Sequence, residues 1–346
     1  MICRNYRYKI QASNRPVLLN LERVVLVENA LQNLSFSISA VFPTFALVFL
    51  GHIAMRTGVV NRAFTAKLSR ICFTYFLSVR IFLDISETGL TSLKNVRLPG
   101  FALLATLAVY ALLWLFAKRF VRPREDEGTF VHVGFRSSFT VLGLSMIRSI
   151  AGEAGVAQCT GLLTTVVILY NILAVFCFVG GGPKSAGRCE TIKHTLVQIA
   201  KNPLILAVAA AVLSELLGWR LPPLLRSPVE SMGNVAVPLS LLCVGASLDM
   251  ERLRCCWKNT ILSALVKTLF QAVLVVPVAV FCGFRGIELA AIAILFTSAN
   301  PSACYVMTES MGGNSDLAAA SVVLSTILSV FTVTLALYLL SIFQLL

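Results

Sequence analysis

The sequence predicts an all-α polytopic membrane protein: ten transmembrane helices in two inverted five-helix repeats, with the fourth and ninth helices broken. Three observations predict it. Apolar residues fill 57% of the 346 positions and charged residues only 13%, with a mean hydropathy of +0.84, more apolar side chain than one soluble core can hide. Apolar runs of about 20 residues, enough to cross a ~30 Å hydrocarbon layer at about 1.5 Å per residue, recur from Leu34 to the C-terminus. Two of these runs carry polar interruptions at corresponding places in the two halves of the chain.

Residues 1–33 precede the first run. "MICRNYRYKIQASNRPVLLNLERVV" is basic, its apolar part is too short to span, and no small-residue cleavage pattern follows. We expect an N-terminal extension, either an upstream translated segment or an interfacial arm. The spans then fall near 34–55, 64–85, 98–118, 130–150, 156–180, 202–218, 232–249, 259–282, 287–309 and 316–343. Charged or Gly/Pro-rich links, "AKRFVRPREDEG", "RSIAGEAGV" and "GGGPKSAGRCETIKH", separate the third to sixth. Residues 34–180 thus form one set of five spans, 181–201 a loop, and 202–346 the second set. An odd number per half forces the second copy to be inverted. Pro43 in "VFPTFALVFLG" and Pro203 in "KNPLILAVAAAVL" mark the same place in the first span of each half.

Lys and Arg in short loops set the orientation. One face carries Arg56, Arg62, Lys67, Lys118, Arg119, Arg122, Arg124, Lys184, Arg188, Lys193, Lys201, Arg252, Arg254 and Lys258. The other has only Lys94, Arg97, Arg148, Arg220, Arg226 and Arg285 once the extension is set aside. The first face is expected to be cytoplasmic, with both termini outside and the chain in the cell membrane. Arg4, Arg7, Lys9, Arg15 and Arg23 then fall on the wrong side, which fits an added segment. The net charge of +13 is therefore topological, spread over separate loops without a basic stripe, and nucleic acid is not an expected partner. Cys72, Cys159, Cys177, Cys243, Cys282 and Cys304 lie inside spans, and Cys255 and Cys256 are adjacent in an expected cytoplasmic loop. There is no CxxC, and the three histidines are isolated, so no metal site and no cofactor is expected.

The ninth run reads "ILFTSANPSACYVMTESMGGN" and the fourth "GFRSSFTVLGLSM". In lipid every backbone polar group needs a partner, so a broken helix persists only where protein or a water-filled cavity surrounds it. Pro301 removes a donor and disfavours helix at Asn300, while Ser298, Ser302 and the Asn300 amide can replace the lost partners and still reach a ligand. A lone proline kink is the plainer reading of one break. Two matched breaks point instead to a midplane site whose half-helix N-termini suit an anion. Arg136, just before the first break, is the leading candidate, because its planar fork matches a carboxylate. Ser137, Ser138, Asn300, Pro301 and Ser302 complete the group. Arg80 and Lys267 are alternative cations, with snorkelling or structural pairing as their plainer explanation. Asn171, Ser325 and Thr326 are expected to line the same cavity, or to bond between helices.

"VFPTFALVFLGHIAMRTG", "NVAVPLSLLCVGASLDM", "NPSACYVMTESMGGN" and "LSTILSVFTV" resemble the auxin efflux carrier family of bacterial and plant transporters, over residues from about 28 to the C-terminus. The resemblance implies crossing fourth and ninth spans, a fold related to the bile acid:sodium symporters, outside termini, and export or exchange of organic anions. The family usually shows an asparagine where this chain has Ser138 and a proline where it has Ser145, which makes both serines site candidates and softens the first break. The expected partners are a small organic anion and the lipid bilayer, with a homodimer as one assembly option. Sodium-coupled symport, a channel and a non-transporting receptor are the competing readings. No HExxH and no paired intramembrane aspartates support a hydrolase, so catalytic residues are not expected.

Overall fold

The computed structural model describes residues 41–88, 96–178 and 200–346, together with 39 and 197. The expected extension and nearly all of the 181–201 loop lie outside the described residues. Regular structure among the described residues is helical throughout. Helix α1 covers Val41–Arg56. Helix α2 (62–88) starts where the Asn61 side chain accepts the Phe64 N–H at 2.9 Å, and it widens into a π turn at Cys72–Leu77. There the Ser78 hydroxyl takes the Phe73 carbonyl, 3.2 Å away. Helix α3 is Arg97–Phe120, α4 is Asp126–Phe135, and α5 (139–178) opens with a π turn at Phe139–Gly143.

Helix α6, Pro203–Leu216, begins behind Asn202, which caps Leu204, with proline in the first turn. Helix α7 is Pro223–Ser247, and α8 (250–281) contains a third π turn at Val266–Phe270. Helices α9, Gly286–Thr297, and α10, Ala303–Ser310, lie on either side of a break, and α11 is Ser315–Ile342. Among the described residues, five stretches are long and apolar enough to cross a membrane: Arg97–Phe120, Leu144–Phe178, Pro223–Ser247, Arg254–Phe281 and Ser315–Ile342. Shorter apolar helices accompany them at Val41–Arg56, Pro203–Leu216 and Gly286–Thr297, giving a multi-pass membrane protein.

Three sequence expectations need correction. The link "RSIAGEAGV" is not a loop: helix runs on both sides of Gly152, whose φ of 62° is cheap only for glycine, so one residue makes the kink between them. Helix α7 begins at Pro223 rather than near 232, because Pro222 is already extended and Pro223 has its φ set for a first helical turn. Cys255 and Cys256 lie in α8, not in a loop, because the Asp249 side chain accepts the Glu251 N–H at 3.0 Å and starts that helix at Met250.

Two packing groups result. Helices α1 and α7 touch backbone to backbone: a Cβ at Gly51 would lie 2.1 Å from the Leu242 carbonyl oxygen, and one at Gly245 only 1.9 Å from that of Val48. Helix α2 packs on α6 and α7. Helices α3, α4, α5, α8, α9 and α11 form the other group, and α10 reaches across to α2 and α7. The broken helices are innermost. Residues 289–300 and 129–137 are buried without interruption, so both breaks sit inside protein rather than lipid.

Candidate functional site

The two breaks are joined to each other. Helix α4 ends at Phe135, and Arg136 is extended (φ −72°, ψ 148°). Helix α9 ends at Thr297, and Ser298 is likewise extended (φ −70°, ψ 158°). The Ser138 N–H, which a continuous helix would direct at Gly134, instead donates to the Ala299 carbonyl at 2.8 Å. The Ser137 and Ser298 hydroxyls meet at 2.5 Å. Side chains take over the carbonyls that the breaks release: Gln271 donates to Gly134, Lys267 to Leu295 at 3.3 Å, and Thr332 to Thr297 at 3.3 Å. The Asn300 N–H donates to the Ser325 hydroxyl at 3.1 Å.

Two buried cations flank this junction. Arg136 is 6% exposed and Lys267 0%. The Arg136 guanidinium contacts Met307 Sδ, His132 Nε2 (3.4 Å) and Asn171 Oδ1 (3.4 Å), and its Nε has no partner. Lys267 Nζ donates to Gln271 Oε1 (3.2 Å) and to the Leu295 carbonyl. Among the described residues neither cation forms an ion pair with a carboxylate. Each sits near the C-terminal, partly negative end of a half-helix, α4 for Arg136 and α9 for Lys267, which offsets part of a full charge. Asn300 is buried, and among the described residues neither its amide oxygen nor its amide nitrogen has a partner. Ser302 shares a hydrogen bond of 2.5 Å with Ser240 of α7.

Of the residues singled out in the sequence, Arg136, Ser137, Ser138, Asn300, Pro301 and Ser302 come together at the junction. Asn171 joins through Arg136, Ser325 through Asn300, and Lys267 through α9. Ser145 lies further along α5 and is half-buried. The Thr326 hydroxyl is taken by the Val322 carbonyl at 2.6 Å within its own helix. Arg80 is elsewhere: it pairs with Asp84 at 2.9 Å and with Asn234 Oδ1 at 3.0 Å, so it is a structural ion pair rather than a free intramembrane cation. His132, Gln271, Met307 and Ser240 join the site without having been foreseen. His132, one helical turn before Arg136 and bonded to Thr308 Oγ1 at 3.2 Å, and Gln271, one helical turn after Lys267, were findable by spacing; Met307 and Ser240 carry no signal along the chain.

A polar cavity of about 360 Å³ approaches the second break, lined by Arg62, Ser247, Arg252, Tyr305, Glu309 and Asp316. Tyr305 belongs to α10, the half-helix that follows the break. Two ion pairs border the cavity, Arg62–Asp249 at 2.6 Å and Arg252–Asp316 at 3.7 Å. The Glu251 backbone N–H, and then the Arg62 guanidinium, hold the Asp249 carboxyl below the usual carboxylate range.

Residues 36–182 and 188–337 match a family model whose description is membrane transport protein. No curated protein matches the chain.

Proposed function

The chain belongs to the auxin efflux carrier type of membrane transport proteins, and from that premise we propose that it is a secondary carrier exporting or exchanging small organic anions. The observation that carries the proposal is a buried arginine that, among the described residues, has no carboxylate partner, and a buried asparagine whose amide has no hydrogen-bond partner among them. A desolvated charge that lacks a counterion costs several kcal/mol, and an incoming carboxylate supplies that counterion. In this reading Arg136 grips the carboxylate with its fork, and the Asn300 amide fixes its orientation. Ser137, Ser138 and Ser302 offer hydroxyls, Pro301 keeps the second break open, and Lys267 adds positive potential. Asn171 and Ser325 hold Arg136 and Asn300 in place.

The architecture that serves this cycle is ten spans in two inverted repeats, 34–180 and 202–346. Helix α4 with residues 139–151 is the fourth span, and α9 with α10 the ninth. The matched breaks support it, each helix ending in an extended residue, Arg136 in the first half and Ser298 in the second. The Lys/Arg asymmetry supports a cytoplasmic face bearing Arg62 and Arg252, extracytoplasmic termini and residence in the plasma membrane. The polar cavity opens on that face and is the entry route from the cytoplasm, with Arg62–Asp249 and Arg252–Asp316 at its mouth. Sodium coupling gains no support from the junction, where the Gly134, Leu295, Thr297 and Ala299 carbonyls already accept hydrogen bonds.

The test is ligand-dependent melting of the detergent-purified protein in the presence of organic mono- and dicarboxylates and of their neutral amides. A bound anion stabilises by RT ln(1 + [L]/Kd), about 2.7 kcal/mol at a hundredfold excess over Kd. We expect at least one acid to raise the melting temperature, its amide to be inert, and Arg136→Ala to lose the response. Equal stabilisation by acid and amide, or an undiminished response in Arg136→Ala, rejects the anion site.

A further inference from the structure

A second cavity, of about 1150 Å³, lies away from the junction, between α1, the start of α8 and α11. Its size exceeds the roughly 300–1,000 Å³ of most small-ligand sites. Its lining is sorted along its length. Helix α1 contributes Phe42, Phe45, Phe49 and His52, one face at helical spacing, and α11 adds Val323 and Ile327 beside them. Phe42 to His52 is ten residues, about 15 Å along the helix and so about half of a ~30 Å hydrocarbon layer. The groove therefore has the depth of a single leaflet.

One end of it is polar. His52, Arg254 and Trp257 cluster there, next to Arg56 and Lys258 in the sequence and on the Lys/Arg-rich side of the molecule. Arg254 forms no ion pair among the described residues, and the buried His52 Nδ1 has no hydrogen-bond partner. Trp257 is 61% exposed, the placement of an indole at a membrane interface. An apolar trough one leaflet deep, closed at its interfacial end by an unpaired arginine and an unsatisfied imidazole, complements one kind of molecule. It has acyl chains and a negatively charged head.

We propose that this groove is a specific site for an anionic phospholipid of the Lys/Arg-rich leaflet, with acyl chains against α1 and α11 and the phosphate at Arg254 and His52. The site does not depend on the organic-anion reading of the helix breaks.

Trp257 provides the probe. The full-length protein is reconstituted in phosphatidylcholine and titrated with phosphatidylglycerol or phosphatidylcholine brominated on the acyl chains. The Trp257 contribution to fluorescence quenching is then isolated by subtracting the Trp257→Phe variant. We expect brominated phosphatidylglycerol to quench Trp257 with an apparent affinity about fivefold higher than brominated phosphatidylcholine, the effect of one interfacial arginine. Arg254→Gln, at an exposed position that leaves folding intact, should erase the preference, and Arg254→Lys should restore most of it. Equal quenching by the two lipids overturns the proposal, since the groove is then ordinary lipid-facing surface. Absence of quenching overturns it too, since another part of the chain or a second copy then fills the groove. A preference that survives Arg254→Gln overturns the headgroup assignment on which the site rests.

Discussion

Arg136 carries most of the chemistry assigned to this chain. Its contacts are a thioether, an imidazole and an amide, and one of its nitrogens has no partner among the described residues. If a carboxylate completes its shell, Arg136→Lys keeps the charge but loses the bidentate fork. We expect apparent affinity to fall about tenfold for Arg136→Lys and up to about a hundredfold for Arg136→Ala, as for a charge-assisted bond of about 1.5–3 kcal/mol. Initial uptake rates across substrate concentrations check this, normalised to protein in the membrane; unchanged apparent affinity in Arg136→Ala would shift attention to Lys267. Asn300→Ala removes a neutral bond of about 0.5–1.5 kcal/mol and should weaken binding only several-fold. At this scale the sequence was readable where polarity stood out against lipid. Arg136, Asn300 and the serines are conspicuous in apolar runs. Met307 and Ser240 are not, because they enter the site through tertiary contacts with residues far away in the chain. Arg80 takes the plainer of its two readings, a structural pair with Asp84 one helical turn away.

Among the elements, the two breaks and the kink at Gly152 decide the geometry. Pro301→Ala restores a backbone donor and lets helix close across residues 298–302. We expect normal amounts of folded protein with reduced maximal exchange rate; full turnover would show that the break owes little to the proline. Gly152 combines φ 62° with ψ −162°, a region nearly exclusive to glycine. Gly152→Ala should cost on the order of 1–3 kcal/mol and lower the melting temperature, while the affinity of the distant site stays as it was. The α8 cap offers a pH signature. Because the Asp249 carboxyl is held below its unfolded value of about 3.9, its contribution is complete above that value and fades as pH falls through the folded one. Asp249→Asn should therefore melt lower than the parent at pH 7, with the gap closing on acidification below about pH 3.9; a constant gap would point to a purely steric role. The broken elements were legible because proline and hydroxyl residues interrupt apolar runs. The starts of α7 and α8 were not, because Pro223, Pro228 and the charged stretch from Met250 to Lys258 read as loop until their caps are seen.

For the molecule as a whole, the readable signal was composition and the Lys/Arg asymmetry, while the union of the two breaks depends on pairing between halves separated by about 160 residues. If the polar cavity is the cytoplasmic entry route, Ser247→Cys in a Cys255→Ser background should react with an impermeant thiol reagent from the face bearing Arg62 and Arg252. A cysteine placed at Leu346 should react only from the opposite face. Reaction of both from one face would reverse the assigned topology. Transport itself is decided by counterflow. Proteoliposomes preloaded with an unlabelled carboxylate that stabilises the purified protein are diluted into the same carboxylate carrying a radiolabel. We predict saturable uptake that is accelerated by the internal substrate, overshoots transiently, and is lost in Arg136→Ala. Uptake that rises linearly with concentration and ignores the internal substrate would contradict a carrier and identify a channel instead.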